Sequence, residues 1–311
     1  MKAKYYFPLF LLTISVCEAN AQVEVVGVSS SHSNSPSYGG EKPDMYVTIG
    51  GPSTSDYYKI DDAGYECIYR YLVVSQDKDG NPVKEDYSTI LQLGKNAGRF
   101  TDYAVYRRDS VAFSERPDKS LWTELDMATK KETYRFYPDI LQNYPTGELT
   151  YTDIVTPFYQ EYTETFPAIE WTIGEEQDTV CGYVCTKATG TYGGRDWEAW
   201  FAEEIPSEMG PWKFSGLPGL IMKATDSEGI HEFRAISFRE GKTPVAKPNN
   251  SLIQKTTREK FIAAKSTFEE KPKASINPAI VKSVAVSDGK MIFNGVEIPK
   301  RPNKYIPIEV K

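Results

Sequence analysis

Asp196 and Glu198 flank Trp197 in a run, Arg195 to Ala202, that reads as a β-strand. At period two both carboxylates share a strand face, ~6.6 Å apart along the backbone. Two carboxyls bracketing a sugar bond at ~5 Å or ~6.5–9.5 Å are the apparatus of glycoside hydrolysis. Acids alternating with aromatics also describe the solvated face of a half-buried strand, which is the more ordinary use. Glu203-Glu204, Glu175-Glu176 and Asp61-Asp62 read as solvated edges or turns. Other chemistries are served less well. Ser215 lacks the Gly-x-Ser-x-Gly elbow, and a triad would have to recruit His32 or His231, with His231 expected on a strand facing solvent or a neighbouring side chain. Gly210 and Gly216 are not followed by Gly-Lys-Ser/Thr, so neither a phosphate loop nor a dinucleotide fingerprint is present.

Cysteine usage bounds metal and redox chemistry. Beyond Cys17 in the leader, the chain holds Cys67, Cys181 and Cys185, an odd number. If Cys181 and Cys185 lie in one strand, their Cα atoms stand ~13 Å apart, too far for a bridge. Cys67 could pair with either, although buried free thiols are the simpler reading. The spacing is not that of a zinc finger, and no cofactor or metal is expected.

Aromatic residues favour binding over catalysis. The chain carries 21 Tyr, 14 Phe and 5 Trp. Rings on a concave sheet face could hold a glycan, peptide or lipid, but aromatics also simply suit pleated surfaces. Trp197 and Trp200 are binding candidates on this ground, and Trp212 and Lys213 are placed at the rim of a ligand clamp. Against that clamp stands an architectural reading of Gly216, Leu217, Pro218, Gly219, Leu220 and Ile221, in which apolar side chains bury and glycines supply special backbone angles. Pro211 and Pro218 exclude a helix there.

The elements that must position these residues are mainly strands. Expected strands are 65–76, 83–93, 133–137, 148–155, 158–165, 169–173, 179–187, 195–202, 220–225 and 230–238, with Asp79-Gly80-Asn81-Pro82 closing a hairpin. Helical patterns are restricted to part of 114–131 and to 256–269. The fold class is a curved antiparallel sheet or partial barrel with one or two short helices, since a large meander must twist and curl. A single domain spans residues 22–311, with a serine-rich leader at 22–43 and a helix and hairpin extension at 250–311 that turns at Asp288-Gly289 and Asn294-Gly295.

Residues 1–21 have the pattern of a secretory signal peptide. Lys2 and Lys4 precede an apolar run from Tyr5 to Val16, and Ala19-Asn20-Ala21 supplies the cleavage site. The run is shorter than a membrane span requires, and Val16 before Cys17 disfavours a lipid anchor. Cleavage removes Lys2, Lys4 and Glu18 and moves the net charge from −7 to −8, which argues against nucleic acid as a partner. No other apolar run could cross a membrane, so an exported protein in the periplasm, at the outer membrane or beyond is expected.

One set of motifs carries a family likeness. Trp171 and Ile173 are followed by Gly182, Tyr183, Cys185, Lys187 and Ala188, then by Arg195, Trp197, Ala199, Trp200 and Phe201, then by Gly210-Pro-Trp-Lys-Phe-Ser-Gly-Leu-Pro-Gly-Leu-Ile221. The ending Tyr305-Ile306-Pro307-Ile308-Glu309 completes the pattern. The chain resembles the GLPGLI family, and the resemblance implies an exported protein of Bacteroidota-like bacteria without established activity, bringing no catalytic residues. Asp109-Ser-Val111 and Asp178-Thr-Val180 are similar to short O-glycosylation acceptors of such bacteria. The residues favour a non-catalytic envelope module that binds a small molecule or an envelope protein, with a carboxylate-dependent glycan hydrolase as the alternative.

Overall fold

The computed structural model describes residues 57–77, 79–131, 136–155, 158–249, 253–270, 284–287, 290–293, 296–298 and 305–310. The signal peptide, the serine-rich leader, His32, most of the 133–137 strand and both C-terminal turns fall outside these residues.

The chain runs β1 (Tyr57–Asp61), β2 (Ala63–Gln76), β3 (Pro82–Gly94), β4 (Gly98–Asp102), α1 (Tyr103–Ala112), α2 (Lys119–Lys131), β5 (Asp139–Gln142), β6 (Glu148–Val155) and β7 (Phe158–Thr165). It continues through β8 (Thr172–Val180), β9 (Tyr183–Tyr192), β10 (Arg195–Ala202), β11 (Leu220–Asp226), β12 (His231–Glu240), β13 (Val245–Pro248), β14 (Ile253–Lys255) and α3 (Arg258–Glu270). β15 (Val284–Ser287), β16 (Lys290–Phe293) and β17 (Val296–Ile298) form a separate three-stranded sheet.

Twelve strands build one open sheet in the order β14-β7-β6-β5-β4-β3-β2-β12-β11-β10-β9-β8. Eleven of them form two meanders, β2 to β7 and β8 to β12, sewn together where β2 pairs with β12, and β14 is added beside β7. All pairings are antiparallel except β14 with β7. The β2–β3 hairpin forms where Asp77 Oδ1 accepts the backbone N–H of Asp79 and Asn81 and Gly80 takes φ 85°, a turn chemistry suited to that sequence.

Alternation sorts the faces. Cys67, Tyr69, Tyr71 and Val73 of β2 point into the hollow with Phe233 and Ala235 of β12 and Trp197, Ala199 and Phe201 of β10. Their rings pack on one another: Tyr71 stacks on Phe233 at 4.3 Å, and Phe100 meets Phe233 edge-on at 6.0 Å. A fully buried Phe or Val of this set contributes ~1.5–3 kcal/mol of hydrophobic stabilisation, an alanine less. On the other face of β2 to β4, Tyr106 of α1 packs on Ile68 and Ile90.

Among the described residues there are three helices, against the one or two expected. α1 was not expected from sequence. Its start is fixed by Asp102, whose carboxylate accepts the N–H groups of Ala104 and Val105, an N-cap. β8 also differs from expectation, because the run 179–187 is not one strand. It breaks at Cys181-Gly182, with φ 52° and 83°, so β8 ends and β9 begins there. Cys181 therefore lies in a turn and does not share a strand with Cys185.

Candidate functional site

The β10–β11 connection turns inward and fills the hollow of the sheet. Leu220 N–H bonds to the Ile205 carbonyl at 3.1 Å, Ile221 N–H to Met209 at 3.2 Å and Gly216 N–H to Glu208 at 2.9 Å, so the loop folds back on its own exit. Gln142 of β5 donates Nε2 to the carbonyls of Gly210 and Trp212. Gly219 is obligatory: a Cβ there would meet the Ala202 carbonyl oxygen at 2.3 Å. Gly216 at φ 89° and Trp212 at φ 58° adopt left-handed backbone, easy for glycine and costly for tryptophan.

At the loop's tip is a closed charge cage. Lys213 is fully buried, with Nζ 3.0 Å from the Tyr162 hydroxyl, 2.7 Å from Glu164 and 2.7 Å from Glu309. Its ammonium also lies 4.9 Å from the centre of the Tyr151 ring, a favourable cation–π distance. Arg258 of α3 bonds Glu309 at 2.8 Å and Glu164 at 3.2 Å, and Trp212 Nε1 donates to Glu309 at 3.2 Å. Burial pushes the Glu309 carboxyl up, but the charges and hydrogen bonds of Lys213 and Arg258 outweigh it and hold it below the usual range. Two basic and two acidic side chains thus meet at one point. Nothing in the sequence spacing joins Tyr162, Glu164, Arg258 and Glu309, which come from β7, α3 and the tail. Glu309 alone carried a signal, as part of the resemblance at the C-terminus.

This placement corrects the rim. Trp212 and Lys213 are buried, not displayed at an edge, and Trp197 and Trp200 are buried as well. Trp197 packs edge-on against Phe214 at 4.6 Å and donates Nε1 to the Tyr192 carbonyl. Leu217, Leu220 and Ile221 are buried, and the phenol of Tyr69 donates to the Ile221 carbonyl at 2.8 Å. The aromatic concave face is thus occupied by the protein's own segment. Pro218 lies in the bend that brings Gly219 N–H to the Leu217 carbonyl at 2.8 Å.

Asp196 and Glu198 share the outer face of β10 but have separate partners. Asp196 is exposed and accepts from Thr191 Oγ1 at 2.7 Å. Glu198 pairs with Lys187 at 2.9 Å and accepts from Trp200 Nε1 at 2.9 Å. Burial raises its pKa, yet the bonds from Lys187 and Trp200 prevail and lower it. A general acid needs the opposite shift.

The face around them is an ordered ionic surface. Register places Lys187, Trp200, Lys223, Arg234 and Arg70 in one row across β9, β10, β11, β12 and β2. The adjacent row holds Thr189, Glu198, Thr225, Glu232 and Leu72 and runs on to Asp86 of β3. Lys187–Glu198, Arg234–Glu232 and Arg70–Asp86 pair between the rows. Beyond them β8 is the sheet edge, exposed on both faces from Thr172 to Thr179 and bulged between Ile173 and Gln177.

The remaining candidates are structural in their surroundings. His231 is buried, not solvent-facing, with Nδ1 2.9 Å from the Tyr71 hydroxyl. Burial, joined by the charge of Arg195, lowers its pKa to about 3. Ser215 Oγ donates to the Pro167 carbonyl. Cys67 and Cys185 are buried free thiols; burial raises both, Cys185 to about 11. Asp109, part of one sugar-acceptor pattern, is buried between Arg99 and Arg108, whereas Asp178 and Thr179 are exposed on β8. Among the described residues no cluster of three or more His, Cys, Asp or Glu could hold a metal ion, and no helix is long and apolar enough to cross a membrane.

Comparison with known proteins gives little further description. No curated protein matches the chain. Two solved structures, of PNGF-II in the P21 and C2 space groups, are similar at 13% identity. Their TM-scores are 0.44 and 0.43, each over 65% of this chain. The chain spans about a third of their length, 33% and 32%. Residues 194–223, which run from the β9–β10 turn through the inward loop into β11, match the model of a family described as a protein of unknown function (Porph_ging).

Proposed function

We propose that the protein is an exported, non-catalytic envelope module of the GLPGLI type that binds another molecule, a partner protein in preference to a small ligand. One observation carries this reading: the hollow that a small ligand would need is packed by residues 205–217 of the chain itself. The ionic rows of β9 to β12 and the two-faced edge strand β8 remain as accessible surface. Its match to a family of unknown function covers the inward loop. The lowered Glu198 carboxyl and the separate partners of Asp196 weigh against a carboxylate pair cutting glycans.

The test is cross-linking mass spectrometry on envelope fractions of the native host, beside a glycan-cleavage assay. A partner cross-linked through Lys187 or Lys223 is the expected outcome. Release of new reducing ends by the wild type, abolished in Glu198→Gln, would replace this reading with the hydrolase.

A further inference from the structure

The carboxylate that completes the cage arrives from outside the sheet. Residues 305–310 form neither strand nor helix and lie against the β9–β10 hairpin. Val310 N–H bonds to the Gly193 carbonyl at 2.6 Å, and Arg195 donates to the carbonyls of Ile308 and Pro307 at 3.1 and 3.2 Å. The Glu309 side chain is gripped at both oxygens. Oε1 faces Lys213 Nζ at 2.7 Å and accepts Trp212 Nε1 at 3.2 Å, while Oε2 accepts Arg258 at 2.8 Å. The remaining anion of the cage is Glu164. Without Glu309, a buried ammonium and a guanidinium would share one carboxylate, leaving an unmatched positive charge among aromatic rings. A positive charge buried without its counter-ion is strongly unfavourable.

We propose that the Lys213–Arg258–Trp212 cage is a carboxylate-binding site, with the Glu309 side chain as its tethered resident ligand and the tail as a strap across it. The ligand class follows from the donors. A guanidinium on one oxygen, with an ammonium and an indole N–H on the other, suits a planar two-oxygen anion. A spherical halide would satisfy one side only, and a phosphate would bring an extra charge and a bulkier head. The site is distinct from the outer surface assigned to partner binding and does not depend on that assignment.

Removing the tethered carboxylate from the full chain exposes the property. Glu309→Gly should recover thermal stability in sodium acetate or formate in a saturable way, with an apparent affinity about tenfold or more above that for chloride or phosphate at matched ionic strength. Wild type, whose site is filled, and Glu309→Gly/Lys213→Met, whose ammonium is gone, should show no saturable gain. Should Glu309→Gly be too unstable to purify, refolding yield from urea in acetate against chloride gives the same comparison. Equal acetate effects in all three proteins, or equal effects of acetate and chloride on Glu309→Gly, would overturn the proposal.

Discussion

Lys213, on the connection entering β11, places its ammonium 2.7 Å from the carboxylate of Glu164 on β7, and these strands stand ninth and second in the sheet order. In a flat sheet they would be ~33 Å apart at 4.7–4.9 Å per strand. Residues 213–220 are folded into bends that return on Pro211, Glu208 and Leu217, so they reach far less than the ~25 Å that seven extended residues would span. The sheet must therefore curl for the pair to form, and the pair in turn holds the curl. The loop is a strut between two halves of an open sheet that no closing strand pair joins.

Lys213→Met should cost about 3–5 kcal/mol, because it leaves Glu164 and Glu309 to share Arg258 as their counter-ion around a buried site. Equilibrium urea unfolding measures this. A double-mutant cycle with Glu309→Gln should show a coupling well above the scatter of independent sites. Additive losses would mean that the two groups do not act on one another.

Gly219→Val should abolish folding, since its Cβ would overlap the Ala202 carbonyl and backbone cannot step aside cheaply. Gly64→Ala is the control. Its Cβ would sit 3.7 Å from the nearest atom, the Leu93 carbonyl oxygen, and it should change stability by less than ~1 kcal/mol. Circular dichroism and thermal melts distinguish the two outcomes.

His231 makes stability depend on pH. Its folded pKa, about 3, lies below the ordinary histidine value of 6.5, so between these values the unfolded chain binds the extra proton. Stability from this group is complete above pH 6.5 and falls as pH drops towards 3, at about 1.4 kcal/mol per unit. Between about pH 6.5 and 5, before carboxylates titrate, wild type should lose about 2 kcal/mol that His231→Asn does not lose. Parallel pH profiles for the two proteins would refute the assignment.

Asp196→Asn and Glu198→Gln should each move the melting midpoint by less than about 2 °C. Their charged and hydroxyl partners, Lys187 and Thr191, are groups that water can reach and replace. A larger loss would show that the outer ionic rows support the curl as well as decorate it.

Much of the sheet was legible because its strands follow simple alternation and strong turn chemistry. β6, β7 and β10 begin and end where pattern places them, at Glu148–Val155, Phe158–Thr165 and Arg195–Ala202. β8 escaped because Gly174 to Asp178 is polar on both sides, as suits an edge strand exposed on both faces. α1 escaped because Asp102 serves as both the last residue of β4 and the helix cap. The Lys213 cage was illegible for a different reason. Sequence shows a lysine beside a tryptophan and suggests display at a rim, whereas burial becomes affordable only once Glu164, Arg258 and Glu309 converge from distant segments. Charge compensation is a property of the closed fold, and spacing along the chain does not encode it.

Because Glu309 reaches the cage from a segment that belongs to no strand of the main sheet, charge balance and strand pairing in this fold can be separated. A protease cut just ahead of Tyr305 would leave every ladder of that sheet in place while freeing the piece that carries a counter-ion of Lys213 and Arg258. The interior would then be open to attack at a single exposed point rather than through unravelling of the strands.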